Sequence, residues 1–427
     1  MNHPGQPQFI AVGDAVQLAP RDPDPDAEYS WTITDAPIDS DTTLGDDPVE
    51  HFVPDVAGRY VATLTTPNDT FDQTIRVFPS SYQPTGEGTG AVGVSGYSGY
   101  SGYSGYSGQS GSARTQRSGS GFASGSGSGA LGESQGEGEG RPRVRLDGEI
   151  VDDEAVITAT PKPHPDSSRD PDELDVEFLL DDRDGVDESE VTIDGHELRA
   201  PLDVIDDELR VHAVAIGDSY SVADAVSIDR LGDEGDFAVH RLYDPPQWGK
   251  EVTLYEIYVR GYAADDEEAE TTFEALENRL DYMEELGVDC LWLTPVLQHD
   301  GAPHGYNITD FFSIADDLGS RDDYNSFVEA AHDRGMSVLF DLVLNHSARD
   351  HPYFQDAYQN PDSQYRDWYE WQDNGEPGTY FGWEFIANFD FTNLEVRRHL
   401  LDALDTWAEV ADGFRCDMAW AVPESFW

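Results

Sequence analysis

Basic residues are scarce in this 427-residue chain. Only 25 Lys and Arg stand against 86 Asp and Glu, a formal net charge of −61, and lysine occurs at Lys162 and Lys250 alone. Phosphate backbones are bound by basic patches, so nucleic acid is excluded as a partner. Cysteine is nearly absent as well. Cys290 and Cys416 cannot make a disulfide framework, and both read as buried structural thiols. No apolar run is long enough to span a bilayer, so no membrane partner is expected. The opening MNHPGQPQFI lacks the basic and apolar regions of a secretory signal, and the expected location is the cytoplasm.

What is abundant is acid, spread in DD, DE and DPD clusters rather than gathered in one tail. It is interleaved with 9 Trp, 19 Phe and 20 Tyr, which a disordered acidic chain lacks. A folded chain that repels itself this strongly needs counter-ions, and the screening length falls to about 3 Å near 1 M salt. Adaptation to high K⁺ or Na⁺ is the physical account, with salt required for folding.

The expected fold is multidomain: two N-terminal β-sandwiches followed by the first half of a parallel α/β barrel. Residues 8–80 read as short strands (EYSWTI, GRYVATLTT, DQTIRVFP) of a small sandwich. Residues 81–142 are of low complexity, with the repeat SGYSGYSGYSGYSG, and are expected to form a flexible linker. Tyr97, Tyr100, Tyr103 and Tyr106 within it are candidates for stacking on sugars or for self-association. Residues 143–230 return to strands and a second sandwich, and 231–249 form a connector. From residue 250 the pattern becomes strand–helix alternation, and apolar strands separated by Gly-terminated helices signal a parallel sheet covered on both faces. Four such strands are counted: VTLYEIYVRGY, VDCLWLTPV, MSVLFDLVLN and DGFRCDMAW, with an excursion after the third at about 347–390.

Functional side chains of parallel barrels stand at the C-terminal ends of strands. The third strand ends FDLVLNH, placing Asp341, Asn345 and His346 there. The fourth ends GFRCD, and alternation puts Arg415 and Asp417 on one face. An arginine beside a carboxylate keeps it ionised and oriented, as a nucleophile toward an electrophilic carbon requires. A plain salt bridge reads equally well from strand position alone.

The two segments DLVLNH and GFRCD, in this order, resemble signature regions of the α-amylase family (glycoside hydrolase family thirteen). HGYNITDFF, YEIYVRGY, IANFDFTNLEVR and VPESFW resemble further segments of that family. The likeness covers residues 250–427 and implies a (β/α)₈ barrel acting on α-1,4-glucans such as starch or maltodextrins with retention of configuration. It implies Asp417 as nucleophile and Arg415 as its orienting partner. It further implies His304, Tyr306 and His346 as sugar contacts, Asp341 as a stabiliser of the site, and Asn345 at a position that often coordinates a structural Ca²⁺. VPDVAGRYVATLTT resembles PKD and immunoglobulin-like modules.

The chain departs from the family pattern at Ala419, Trp420 and Ala421, where His or Lys often follows the nucleophile, and at Asn388, where an acid is common. A retaining glycosidase also needs a second carboxyl about 5–5.5 Å from the first. The resemblance implies a glutamate on a fifth strand, whereas Glu424 lies too close to Asp417 to stand on another strand. The expectation is therefore an inactive fragment of a longer enzyme. Cyclomaltodextrinase, neopullulanase and transglycosylase are rivals within the family, and a non-catalytic glucan-binding or scaffold protein is the rival outside it. Nothing in the sequence speaks to oligomeric state.

Overall fold

The computed structural model describes residues 3–80, 140–232 and 236–427. The first unit pairs a four-stranded sheet with a two-stranded one. Alternate residues of Gly58–Thr65 and the ring of Trp31 turn into its core, where Phe52, Tyr60 and Leu64 have no exposed surface. The second unit has two four-stranded sheets that share a core of Leu146, Ile157, Leu209 and Val226. It runs further than expected. The supposed connector contains the strand Asp236–Arg241, which pairs antiparallel with Asp224–Leu231.

The two units are locked together. Thr74 donates its N–H and hydroxyl to Asp182 at 2.6 and 2.7 Å, Arg76 pairs with Glu177, and Phe78 stacks on Tyr220 with centroids 4.3 Å apart. The Gly/Ser segment expected as a linker lies outside the described residues over 81–139. Its flanks do not: Phe78 covers Tyr220, and Arg141 sits over the same ring at 5.2 Å. The described residues on either side of the segment thus meet on one ring, that of Tyr220. Closure entropy costs about 0.6 kcal/mol per doubling of loop length. Joining residue 80 to residue 140 through a short link is thus expected to raise stability by about 2 kcal/mol. Thermal unfolding in molar KCl would show it, and a lowered Tm would mean that the segment itself contributes to the fold.

The last unit is built on a parallel sheet of β1 (Leu254–Ile257), β2 (Cys290–Leu293), β3 (Ser337–Leu342) and β4 (Gly413–Cys416), ordered as in the chain. β1 is shorter than its apolar run predicts. Val259 N–H finds the Thr294 hydroxyl at 3.2 Å instead of a ladder partner, and Val259–Tyr262 coil into a helical turn. The helix predicted after it is broken into α1 (Thr272–Glu277) and α2 (Leu280–Leu286), with Asn278 and Arg279 turned toward Asp266 and Asp265. α3 (Arg321–His332) starts from a Ser320 capping box. α4 (Leu394–Ala408) starts from Asn393, whose side chain accepts from Glu395 N and Val396 N. Trp407 of α4 stacks on Phe340 of β3 (centroids 4.9 Å apart) and donates to the Phe311 carbonyl, fixing the helix over the sheet. After β3 the chain makes an excursion closed by the antiparallel pair His346–Ala348 and Ile386–Asn388. Cys290 is buried and Cys416 only half-buried, both as free thiols. Among the described residues no helix is long and apolar enough to cross a membrane.

Candidate active site

The register of β3 on β4 sets Asp341 opposite Arg415. One guanidinium nitrogen, Arg415 Nη1, donates to Asp341 Oδ1 at 3.0 Å and to Asp417 Oδ1 at 2.7 Å. Asp417 follows β4 directly and is held from behind, its N–H donating to the Leu342 carbonyl at 2.8 Å. The other oxygen of Asp341 accepts from the Tyr306 hydroxyl at 2.9 Å and from Trp292 Nε1 at 3.0 Å. The Arg415 guanidinium lies over the Trp292 ring, 4.6 Å from its centre. Trp292 does not stand out in the sequence as a site residue. Its place in CLWL, one residue from the end of β2, is the signal that was available.

Burial sets the ionisation of Asp341. Asp341 is buried, and burial pushes its carboxyl up to about 6 against the pull of Arg415, Trp292 and Tyr306. Burial also opposes the charge on Arg415, but Asp341 and Asp417 outweigh it and raise the group further. Burial, with Asp341 beside it, raises the Tyr306 phenol, so that hydroxyl stays a donor. Asp341 therefore gains a proton as pH falls through about 6, losing the charge that holds Arg415. Because the shift is upward, ionising Asp341 costs stability above that pH, and acid relieves the cost. The rate of any reaction at Asp417 is expected to fall along a one-proton limb centred near pH 6. In Asp341→Asn the rate should be low and flat across that range. A limb that survives the substitution would assign the proton elsewhere.

The remaining candidates are placed around this cluster. Tyr306 N–H donates to His304 Nδ1 at 3.0 Å, and His304 is exposed, stacked beside Tyr306 and outside the Asp–Arg contacts. His346 is buried, and burial pulls it down to about 4, so the ring is neutral at pH 7. Its Nε2 lies 3.1 Å from the Tyr306 carbonyl and its Nδ1 faces Asn345 Oδ1, so both nitrogens meet protein groups. Glu424 is exposed in the turn after β4.

Asn345 does not suit a calcium ion as placed. Its Nδ2 donates to the Asp417 carbonyl at 3.0 Å and its Oδ1 is taken by His346. Asn388 Nδ2 donates to Glu370 Oε2 at 3.0 Å, leaving Asn388 Oδ1 buried without a hydrogen-bond partner. Among the described residues no group of three His, Cys, Asp or Glu gathers for a metal. Asn345 instead ties the end of β4 to the start of the excursion.

Residues 256–425 match the family model described as alpha amylase, catalytic domain. The chain is 55% identical to an alpha-amylase, MalA, of Haloarcula japonica, an alignment that takes in all of this chain and 64% of that protein. It is 31% identical to a trehalose synthase of a Pimelobacter species over 43% of this chain and 36% of that one. Among solved structures it overlaps an alpha-amylase from H. orenii at 31% identity and a TM-score of 0.36, covering 42% of this chain and 41% of the other. The chain thus spans less than two thirds of the length of these relatives.

Proposed function

We propose, from the match of residues 256–425 to the alpha-amylase catalytic-domain model, that Asp417 is the nucleophile of a retaining hydrolase of α-1,4-glucosidic bonds in starch or maltodextrins. The observation that carries the reading is the single guanidinium nitrogen shared by Asp341 and Asp417 at 3.0 and 2.7 Å. It leaves one Asp417 oxygen without an arginine contact while the side chain is held at a strand end. In the first step that oxygen bonds to the anomeric carbon as the bond to the departing sugar oxygen breaks. A second carboxyl must protonate the departing oxygen. Asp341 is occupied by Trp292, Tyr306 and Arg415, so its part is to hold the arginine. Tyr306 offers its ring to the sugar face, with His304 beside it.

The four parallel strands in chain order support the reading of this unit as the first half of a (β/α)₈ barrel. The units at 3–80 and 140–241 are read as immunoglobulin-like sandwiches. The charge of −61 supports a protein that folds and works in molar salt. The same covalent intermediate can pass to a sugar instead of water, and the likeness to a trehalose synthase favours that second reading.

A glucosyl fluoride tests Asp417 by itself, because fluoride departs without a proton from a second carboxyl. A slow-turnover fluorosugar of this type should leave a glucosyl ester on the peptide containing Asp417, seen by mass spectrometry in molar KCl. Labelling at another residue, or none, removes the assignment.

A further inference from the structure

The N-terminal unit reaches the turn that carries Asp417. In its strand Val16–Leu18, Val16 and Leu18 face the core of that unit, and period-two alternation sends the side chain of Gln17 the other way. There Gln17 Oε1 takes two donors at once, the Ser425 hydroxyl at 2.7 Å and Arg397 Nη2 of α4. Arg397 Nη2 also donates to the Ser425 hydroxyl at 2.8 Å, and Nη1 donates to the Ser425 carbonyl at 3.3 Å. With donors on both sides of its oxygen, the Gln17 amide has one orientation only. Ser425 stands at the far end of the turn that begins at Asp417.

The buried guanidinium donates to neutral oxygens of Phe391, Ser425 and Gln17. Burying a charge among neutral acceptors is costly, whereas a fan of directional hydrogen bonds fixes geometry. Between this clamp and the nucleophile the chain is tied to itself. Ala421 N–H donates to the Met418 carbonyl at 2.8 Å, Val422 N–H to Ala419 at 3.2 Å and Phe426 N–H to Pro423 at 2.9 Å, and Val422 and Phe426 are buried. At the other end the Asp417 N–H is held by Leu342 and the Asp417 carbonyl by Asn345 Nδ2. Between the two anchorages Met418 sits at φ +46°, in the left-handed region that side chains with a Cβ avoid. Such a conformation lasts only where the surroundings over-determine it. Asp417 is its neighbour, so a turn that relaxes at Met418 also turns the Asp417 carboxylate.

We propose that Gln17 is a positioning residue for Asp417: by closing the Gln17–Arg397–Ser425 clamp, the N-terminal unit holds the turn in the strained conformation that aims the carboxylate. The inference rests on the reading of Asp417 as the nucleophile. None of the three clamp residues touches the reacting atoms. Their effect is on the geometry of approach, where a misplacement of about 1 Å can lower a rate about 10²-fold. The N-terminal unit thereby takes part in the reaction through a turn of the barrel unit and not through a sugar contact of its own.

The test is the kinetics of Asp417 labelling by the fluorosugar on the full chain in molar KCl, read as a maximal rate and a half-saturating concentration. Rates are taken well below the Tm of each variant, on protein shown to be folded by circular dichroism. Gln17→Leu removes the acceptor and keeps the bulk. Its maximal rate should fall at least about tenfold, with the half-saturating concentration within about twofold of wild type. Gln17→Glu keeps an oxygen for both donors and should restore the rate. Ser425→Ala leaves the Gln17–Arg397 bond in place and should lower the maximal rate about threefold to tenfold. Wild-type maximal rates in Gln17→Leu and Ser425→Ala would overturn the proposal, as would a Gln17→Glu rate as low as that of Gln17→Leu. A change confined to the half-saturating concentration would overturn it too, since the effect would then lie in sugar binding. If Gln17→Leu does not fold, Ser425→Ala decides by the same readings. A wild type that never labels at Asp417 removes the nucleophile and the positioning role together. A wild type that labels no faster than the variants removes the positioning role alone.

Discussion

Asp417→Asn is expected to lower the rate of covalent labelling by a glucosyl fluoride more than about 10³-fold, because a carboxamide is no nucleophile toward an anomeric carbon. The fold should survive the change. The introduced carboxamide would keep an oxygen for Arg415 Nη1, and the backbone N–H bond to the Leu342 carbonyl does not involve the side chain. A Tm within a few degrees of the wild type, with labelling lost, separates chemistry from structure. Arg415→Lys should also label slowly with the fold intact. One ammonium cannot reproduce a planar guanidinium that lies over Trp292 while reaching both Asp341 and Asp417. If Asp417→Asn labels at the wild-type rate, the nucleophile lies elsewhere and the reading of the whole cluster goes with it.

The second large effect concerns stability and lies away from the chemistry. Arg397 on α4 is 1% exposed, and its guanidinium joins three parts of the chain. Nε donates to the Phe391 carbonyl at 2.7 Å, and Nη2 donates to the Ser425 hydroxyl at 2.8 Å and to Gln17 of the N-terminal unit. Ser425 in turn donates to the same Gln17 oxygen at 2.7 Å. Burial pulls the guanidinium down to about 9, so at pH 7 it is charged and depends on these acceptors. Arg397→Ala would leave the acceptors unpaired around a cavity, and a loss of about 3–5 kcal/mol is expected. At about 2–4 °C per kcal/mol that is a Tm lower by about 10 °C in molar KCl. A change under about 2 °C would show that the N-terminal unit does not depend on this contact. Nearby, Leu394 enters the core of the N-terminal unit and Arg398 pairs with Asp22, so the interface extends along one face of α4.

These two cases mark the limit of what is legible in the sequence. The Arg415–Asp417 pair was legible because a strand alternates with period two, and Asp341 because a polar residue at the end of an apolar strand is conspicuous. α3 and α4 fall within the strand–helix alternation that begins at residue 250, and the structure adds Ser320 and Asn393 as their caps. Trp292 and Arg397 were not. Trp292 has the composition of a core residue, and only the β2–β3 register brings its indole to Asp341. Arg397 looks like a solvated charge on a helix, and its partner Gln17 is 380 positions away in sequence. The broken first helix and the early end of β1 involve partners outside their own elements, Asp266 and Thr294.

The sequence by itself determined the acid excess, the order of strand-rich and strand–helix units, and which aspartates stand at strand ends. Those follow from composition and from periodicities that local backbone geometry imposes. Tertiary structure alone decided that the two N-terminal units are clamped together at Tyr220 and docked through Gln17. It also decided that Asn345 is consumed by internal hydrogen bonds and that one arginine nitrogen serves both aspartates. Each of these depends on which surfaces meet, and contacts between residues far apart in the chain leave no period to read.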